Sequence, residues 1–142
     1  MTLIADSAPL VALGDRRDPR RALVEQALFV EPGPIVVPAP VTQEVDYLLR
    51  SRVGRTAASV FLSDLAAGRF EVACLDRAEY GLVLAYDRPY ADFDVGLADL
   101  SIVVAAHRFR TKRILTFDER HFRSLRPLEG GAFILLPADE TA

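Results

Sequence analysis

Four acidic residues lie where apolar strand-like runs give way to helix-like segments. Asp6 directly follows one short apolar run near the start of the chain, and Asp118 directly follows another near its end. Glu44 and Asp99 lie early in two segments with helical periodicity. Because parallel strands direct their carboxyl ends, and the starts of the helices that follow them, to one edge of a sheet, we expect these four carboxylates to converge.

Converging carboxylates repel one another, by about 4 kcal/mol per pair at 4 Å in an effective dielectric near 20. A cluster of this kind needs a proton, a basic partner or a cation. Hard oxygen ligands in this number suit Mg²⁺, for which Mn²⁺ can substitute. A divalent ion held in this way activates water and stabilises the charge that develops on a phosphate. The spacing therefore predicts metal-dependent chemistry on phosphate.

Each acid also has a purely structural interpretation. Asp6 and Asp118 could simply cap the helices that follow them, since aspartate is a favoured N-cap residue. Glu44 could be an ordinary first-turn acid, and Asp99 a helix-start acid, because both complement the helix dipole. The joint placement of the four residues, rather than any one of them, favours a site.

The elements that must position these acids alternate along the chain. Short β-branched or apolar runs predict strands at residues 3–5, 35–37, 70–75, 113–117 and 132–136. Between them, helical periodicity predicts helices at residues 7–13, 18–29, 41–54, 56–68, 76–86, 97–109 and 119–125. The fold class is therefore α/β, a three-layer α/β/α sandwich with a mostly parallel central sheet. We expect residues 1–142 to form one domain.

Composition narrows the classes of function. The chain has 142 residues, 51% of them hydrophobic, and a net charge of −3, so no overall basic field marks it as a nucleic-acid binder. Its single cysteine, Cys74, excludes an internal disulfide and a cysteine-rich zinc site. The first 13 residues make a poor signal peptide, and no apolar run approaches the roughly 18 residues that a membrane helix needs. We expect a cytoplasmic protein with no membrane partner.

Four segments together carry a family resemblance. They are Ile4-Ala5-Asp6-Ser7-Ala8-Pro9-Leu10, Val41-Thr42-Gln43-Glu44-Val45-Asp46-Tyr47-Leu48-Leu49, Gly96-Leu97-Ala98-Asp99-Leu100-Ser101, and Ile114-Leu115-Thr116-Phe117-Asp118 with Arg120-His121-Phe122. In this order they resemble the PIN-domain nucleases, and within that family the VapC toxins of bacterial toxin–antitoxin pairs. The resemblance covers residues 3–137, nearly the whole chain.

The resemblance implies a Mg²⁺-dependent endoribonuclease toxin of a type II toxin–antitoxin system. Asp6, Glu44 and Asp99 match the three core acids of the family, and Asp118 matches its more variable fourth. By this likeness Asp6 and Asp99 hold the metal, Glu44 holds it directly or through water and orients the attacking water, and Asp118 completes the site. Hydrolysis of a phosphodiester in transfer or ribosomal RNA would leave a 5′-phosphate and a 3′-hydroxyl.

The same likeness assigns supporting roles and partners. Ser7 and Thr116 match the hydroxyl residues that support the family's carboxylates. Ala8 and Leu100 depart from the family pattern, which usually has Ser and a smaller residue there. The implied partners are an RNA substrate, a VapB-type antitoxin bound in a groove formed by the helices at 18–31 and 42–67, and a second copy of the chain in a homodimer.

Other features leave alternatives open. A housekeeping RNA-processing nuclease of the same fold, or a metal-free PIN-like interaction module whose acids only cap helices, would share these motifs. Two basic groups, around residues 16–21 and 108–113, could contact RNA phosphates or be solvated surface charge. For His107 and His121 we predict surface positions. A phosphotransfer site at Asp6 is disfavoured, because no second aspartate stands two residues later.

Overall fold

The sheet is all parallel, with every strand pairing in the same direction. A computed structural model describes residues 1–140. Its strands are β1 (Leu3–Ala5), β2 (Ile35–Pro38), β3 (Glu71–Ala73), β4 (Arg113–Leu115) and β5 (Ile134–Leu136). They form one five-stranded sheet in the order β3-β2-β1-β4-β5. The predicted α/β class is confirmed, and the predicted mostly parallel sheet is parallel throughout.

Helices connect the strands. They are α1 (Ser7–Leu13), α2 (Arg21–Val30), α3 (Ala39–Arg52), α4 (Arg55–Ala66), α5 (Arg77–Asp87), α6 (Leu97–Arg108) and α7 (Glu119–Ser124), with a 3₁₀ turn at Arg88–Tyr90. None of the helices within residues 1–140 combines the length and apolar character needed to cross a membrane.

The strand order places β1 at the centre, and with it the point where the chain changes direction. From β1 the chain adds β2 and β3 on one side, then returns to add β4 and β5 on the other. The backbone N–H of Asp6 donates to the carbonyl of Leu115 at 2.9 Å, so the ends of β1 and β4 stay joined past their last paired residues. Ligands of open α/β sheets bind at such a switch point, outside the carboxyl ends of the strands.

Helices cover both faces of the central strands. Side chains of consecutive strand residues point to opposite faces, yet Leu3, Ile4 and Ala5 of β1 are all buried. A sheet buried on both faces has continuous apolar strands of this kind. Helix α6 is itself largely buried and packs on β1, β2 and β4. Asp6 and Asp99 are therefore carried by elements that lie in the hydrophobic core.

Several element bounds differ from the sequence prediction. Helix α2 begins at Arg21 rather than at Asp18, because the Asp18 carboxylate accepts a hydrogen bond from the backbone N–H of Arg20 and closes a turn before the helix. Strands β3, β4 and β5 are shorter than predicted. The capping box of Asp76 and Glu79 at the start of α5 is confirmed.

Candidate active site

Asp6 is both a helix cap and a buried carboxylate at the switch point. Its Oδ1 accepts a hydrogen bond from the backbone N–H of Ser7 at 2.7 Å, which caps α1. Its Oδ2 accepts a hydrogen bond from Thr116 Oγ1 at 2.7 Å. The side chain is held from two strands' ends and is almost entirely removed from solvent. The capping interpretation from the sequence is therefore correct, and it accounts for only one of the two carboxylate oxygens.

Ser7 links Glu44 to Asp6, through its hydroxyl on one side and its backbone N–H on the other. Ser7 Oγ donates to Glu44 Oε1 at 2.6 Å, which connects the start of α1 with the second turn of α3. The interpretation of Glu44 as an ordinary first-turn acid is wrong, because α3 begins five residues earlier, at Ala39. The hydroxyl of Ser7 thus holds the carboxylate of Glu44, and its backbone N–H holds that of Asp6.

Thr116 connects Asp6, at the end of β1, with Asp118, at the start of α7. Its buried hydroxyl donates to Asp6 and accepts a hydrogen bond from the backbone N–H of Asp118 at 2.9 Å. Both hydroxyls that the resemblance singled out, those of Ser7 and Thr116, therefore contact the acidic residues.

Asp118 and His121 form a pair that the sequence prediction did not include. Asp118 Oδ1 accepts a hydrogen bond from the backbone N–H of His121 at 3.0 Å, so Asp118 caps α7 as its structural interpretation required. The second oxygen, Oδ2, lies 2.6 Å from Nδ1 of the His121 ring. His107 is exposed, as predicted, whereas the side chain of His121 is only partly exposed, at 22%. The spacing of three residues after an N-cap acid was the signal that could have identified it.

Asp99, in the first turn of α6, completes the cluster electrostatically. Burial, the charge of Asp6 and, to a smaller extent, the charges of Asp118 and Glu44 together raise the pKa of Asp99 to about 7. The charge of His121 lowers the same pKa. Burial also raises the pKa of Asp6, against the hydrogen bonds from Thr116 and Ser7 that lower it. The charges of Glu44 and Asp118 thus act on both Asp6 and Asp99, which places the four acids in one region of the molecule.

The chain matches a known family over most of its length. A family model described as the PIN domain matches residues 3–126. The chain is also 38% identical over 135 residues to Ribonuclease VapC26 of Mycobacterium tuberculosis, an alignment that covers 95% of this chain and 100% of that protein. This chain belongs to the PIN-domain family.

The fold of this chain is similar to that of solved toxin structures. The chain superposes on VapC20 of M. tuberculosis, a sarcin–ricin loop cleaving toxin, with a TM-score of 0.73 at 15% identity over 79% of this chain and 86% of that one. It superposes on VapBC2 of Rickettsia felis, solved with a promoter DNA fragment, with a TM-score of 0.66 at 17% identity over 95% and 97% of the two chains. At these identities the likeness establishes the α/β/α fold.

The acids of this PIN-domain protein fit a divalent cation in their chemistry. Within residues 1–140 no three His, Cys, Asp or Glu side chains are drawn together into a closed ligand set. Mg²⁺ does not need one, because it keeps several waters and binds through one or two carboxylates plus substrate phosphate. The anionic form of buried Asp6 has hydroxyl and backbone donors but also two acidic neighbours that oppose it. A cation at this position would relieve that opposition.

The acidic stretch before α6 lies outside this cluster. Asp92 and Asp94 are exposed residues of the segment between the 3₁₀ turn and α6, and Gly96 is the N-cap of that helix. Neither residue is among the charges that shift the pKa of Asp99.

Ion pairs within the chain engage much of the two basic groups. Arg20 pairs with Asp18, Arg108 with Glu79, and Arg113 with Glu31. In contrast, Arg16 and Arg17 line an open cleft of about 610 Å³ between the end of α1 and the turn joining α3 to α4. Solvated or internally paired charge therefore describes these groups better than a continuous basic track.

Proposed function

We propose that this PIN-domain protein is the endoribonuclease toxin of a type II toxin–antitoxin pair, and that residues 1–142 form its single domain. It would act in the cytoplasm on a phosphodiester of transfer or ribosomal RNA. The observation that carries the proposal is the cluster of Asp6, Glu44, Asp99 and Asp118 at the switch point of a PIN fold. The named relatives support the reaction class, since one is a ribonuclease and another a toxin that cleaves an RNA loop.

Asp6 and Asp99 would hold Mg²⁺, or Mn²⁺ in its place, with Asp118 completing the site. Such an ion supplies a more acidic water and stabilises negative charge on the scissile phosphate. Asp6 is positioned for this by Thr116 and Ser7, which leave its carboxylate little freedom to turn. Hydrogen-bond partners of this kind orient a metal ligand and raise the affinity of the site for the metal.

Glu44 would orient the attacking water. Its Oε1 is held by Ser7, while Oε2 makes none of the hydrogen bonds found among residues 1–140. A carboxylate fixed by one oxygen presents the other in a defined direction, to water or to the ion. His121, whose ring contacts Asp118 Oδ2, would hold that carboxylate in position.

We expect purified protein to cleave RNA only with Mg²⁺ or Mn²⁺ and to leave 5′-phosphate and 3′-hydroxyl ends. The measurement is sequencing of cleavage ends in total RNA, selected by their terminal phosphate, with and without EDTA. Cleavage that persists in EDTA would contradict the metal requirement. No cleavage together with no stabilisation by millimolar Mg²⁺ or Mn²⁺ would favour the metal-free interaction module.

A VapB-type antitoxin is the proposed protein partner. It would bind this chain on a surface formed by α2, α3 and α4. These helices leave several large apolar side chains exposed, among them Leu23, Phe29, Tyr47 and Val60. The 610 Å³ cleft also opens here, with Val53 and Val60 beside four arginines. A groove of this kind takes the apolar face of a partner helix. We propose a homodimer as well, in keeping with the family.

Val60→Asp should weaken the antitoxin complex by at least about tenfold, since a charge in an apolar contact costs more than 1.4 kcal/mol. Val60 is 56% exposed, so the free protein should keep its stability. The matched control is Leu84→Asp on α5, where the leucine is 58% exposed. Copurification with the product of the neighbouring small gene measures the effect. Equal complex formation by both variants would remove α4 from the proposed surface, and lack of any such partner would favour a housekeeping nuclease.

A further inference from the structure

A second cleft opens directly beside the acidic cluster. It has a volume of about 360 Å³ and lies between the start of α2 and the segments that follow β4 and β5. Its lining includes Arg20, Leu23, Phe117 and Pro137, and it also reaches Thr116. Because Thr116 donates to Asp6 and Phe117 immediately precedes Asp118, the cleft adjoins two of the proposed ligands.

Arg20 forms a flat wall of this cleft. Its guanidinium carbon lies over the Phe117 ring, 4.2 Å from the ring centre. Nε and Nη2 donate to the two oxygens of Asp18, at 3.1 and 2.9 Å, and hold the plane in place. Two of the five N–H groups of arginine are used in this way, and three remain for a ligand. The side chain is still 51% exposed.

The charges around the cleft favour a neutral ligand over a phosphate. Asp18 balances the charge of Arg20, and the pKa of Asp18 is lowered by this pairing. Glu119, which also lines the cleft, is paired with Arg123. The rest of the lining is Thr116, whose hydroxyl is bonded to Asp6, and the apolar side chains of Leu23, Phe117, Pro137 and Ala138. A planar, uncharged group with hydrogen-bonding edges matches this surface.

We propose that the Arg20–Phe117 pair is the stacking wall of a subsite for one unpaired base of the RNA, next to the phosphate at the acidic cluster; this rests on the proposed ribonuclease function. Bases splayed out of RNA loops stack on aromatic rings and on arginine planes. The free N–H groups of Arg20 would bond the edge of the base or its ribose. A paired base cannot enter, so the subsite selects single-stranded or looped RNA.

The test uses nucleoside 5′-monophosphates of the four bases, with ribose 5-phosphate as the probe that lacks a base. Titrations followed by NMR should shift the Phe117 ring and Leu23 methyl signals with at least one nucleotide and not with ribose 5-phosphate. Arg20→Lys keeps the charge but loses the plane, and should weaken nucleotide binding roughly 5- to 150-fold, the range of one base stacked on a protein side chain. Arg77→Lys, an exposed arginine on α5, is the matched control and should bind as wild type does.

Phe117→Leu gives a second variant that keeps the cleft apolar, and thermal unfolding checks that each variant is folded. Equal shifts by ribose 5-phosphate, or nucleotide affinity unchanged in both Arg20→Lys and Phe117→Leu, would overturn the subsite. So would the absence of any base-dependent shift. These results do not depend on cleavage, so an inactive protein that still binds nucleotides at Arg20 would contradict the ribonuclease proposal and leave the base subsite standing.

Discussion

Replacing Asp99 by asparagine is expected to reduce RNA cleavage by more than 100-fold, whereas Asp94→Asn should keep most of the wild-type rate. Loss of an outer partner of a metal ligand already costs roughly 10- to 100-fold, so loss of a ligand itself should cost more. Asp99 lies inside the acidic cluster, where burial and the charge of Asp6 raise its pKa to about 7. Asp94 is exposed and precedes α6. Asp6→Asn should resemble Asp99→Asn.

Initial cleavage rates measured against Mg²⁺ concentration separate these variants. Asp94→Asn is the matched control, because it makes the same change five residues earlier in the chain. If Asp94→Asn lost as much activity as Asp99→Asn, the placement of the metal ligand on α6 would be wrong.

Asp99→Asn should also change how the folding stability of the metal-free protein depends on pH. The pKa of Asp99 is about 7 in the folded protein and near 3.8 when the chain is unfolded. The folded state therefore binds its proton more tightly, and stability should fall as pH rises from about 4 to about 7. Asp99→Asn removes this contribution, so the variant should be as stable as wild type or more so at pH 7.5 without metal. Denaturant unfolding in EDTA at about pH 4 and about pH 7 measures the free energy of unfolding of both proteins.

Thr116→Val should lower the affinity for Mg²⁺ by roughly 10- to 100-fold, the usual effect of removing a partner that orients a ligand. The valine keeps the volume but removes the hydroxyl that donates to Asp6 and accepts from the backbone N–H of Asp118. Both the buried carboxylate and a backbone donor then lose a partner. The Mg²⁺ concentration at half-maximal cleavage reports the affinity.

Thr116→Ser is the control for this change, since it retains the hydroxyl and loses only a methyl group. Serine should restore most of the affinity that valine loses. If valine and serine behaved alike, the hydroxyl would have no positioning role, and packing at this buried position would explain the effect.

The sequence predicted the fold class, and the edge of the sheet at which the candidate acids lie, better than it predicted the contacts between these residues. Asp6 and Asp118 follow apolar runs, and parallel strands bring such positions together whatever the intervening helices do. The bond between Ser7 and Glu44 joins residues 37 apart and depends on how α3 packs against α1, which no local pattern encodes. The spacing of three residues after an N-cap acid points to His121, but the contact of its ring with Asp118 depends on the conformations of both side chains, which the spacing does not determine.

The start of α2 shows the same limit of local patterns. Asp18 followed by proline is typical of a helix start, but the structure uses Asp18 to fix Arg20 instead. The Asp18 carboxylate accepts hydrogen bonds from the backbone N–H of Arg20 and from its guanidinium, and the guanidinium lies over Phe117, nearly one hundred residues later. The contact with Phe117 exists only in the folded chain, so no local pattern predicts it.

The central position of β1 also makes the acidic cluster depend on one long-range step in folding. Asp6 follows β1, whereas Thr116 and Asp118 follow β4, which pairs with β1 across a separation of 110 residues. Contacts so distant in sequence require a long loop to close, and such contacts slow folding. A chain that has paired β1 with β2 but not yet with β4 lacks one side of its switch point and has no complete acidic cluster. The cluster therefore forms only when β4 joins β1, and not with the first strand pairing.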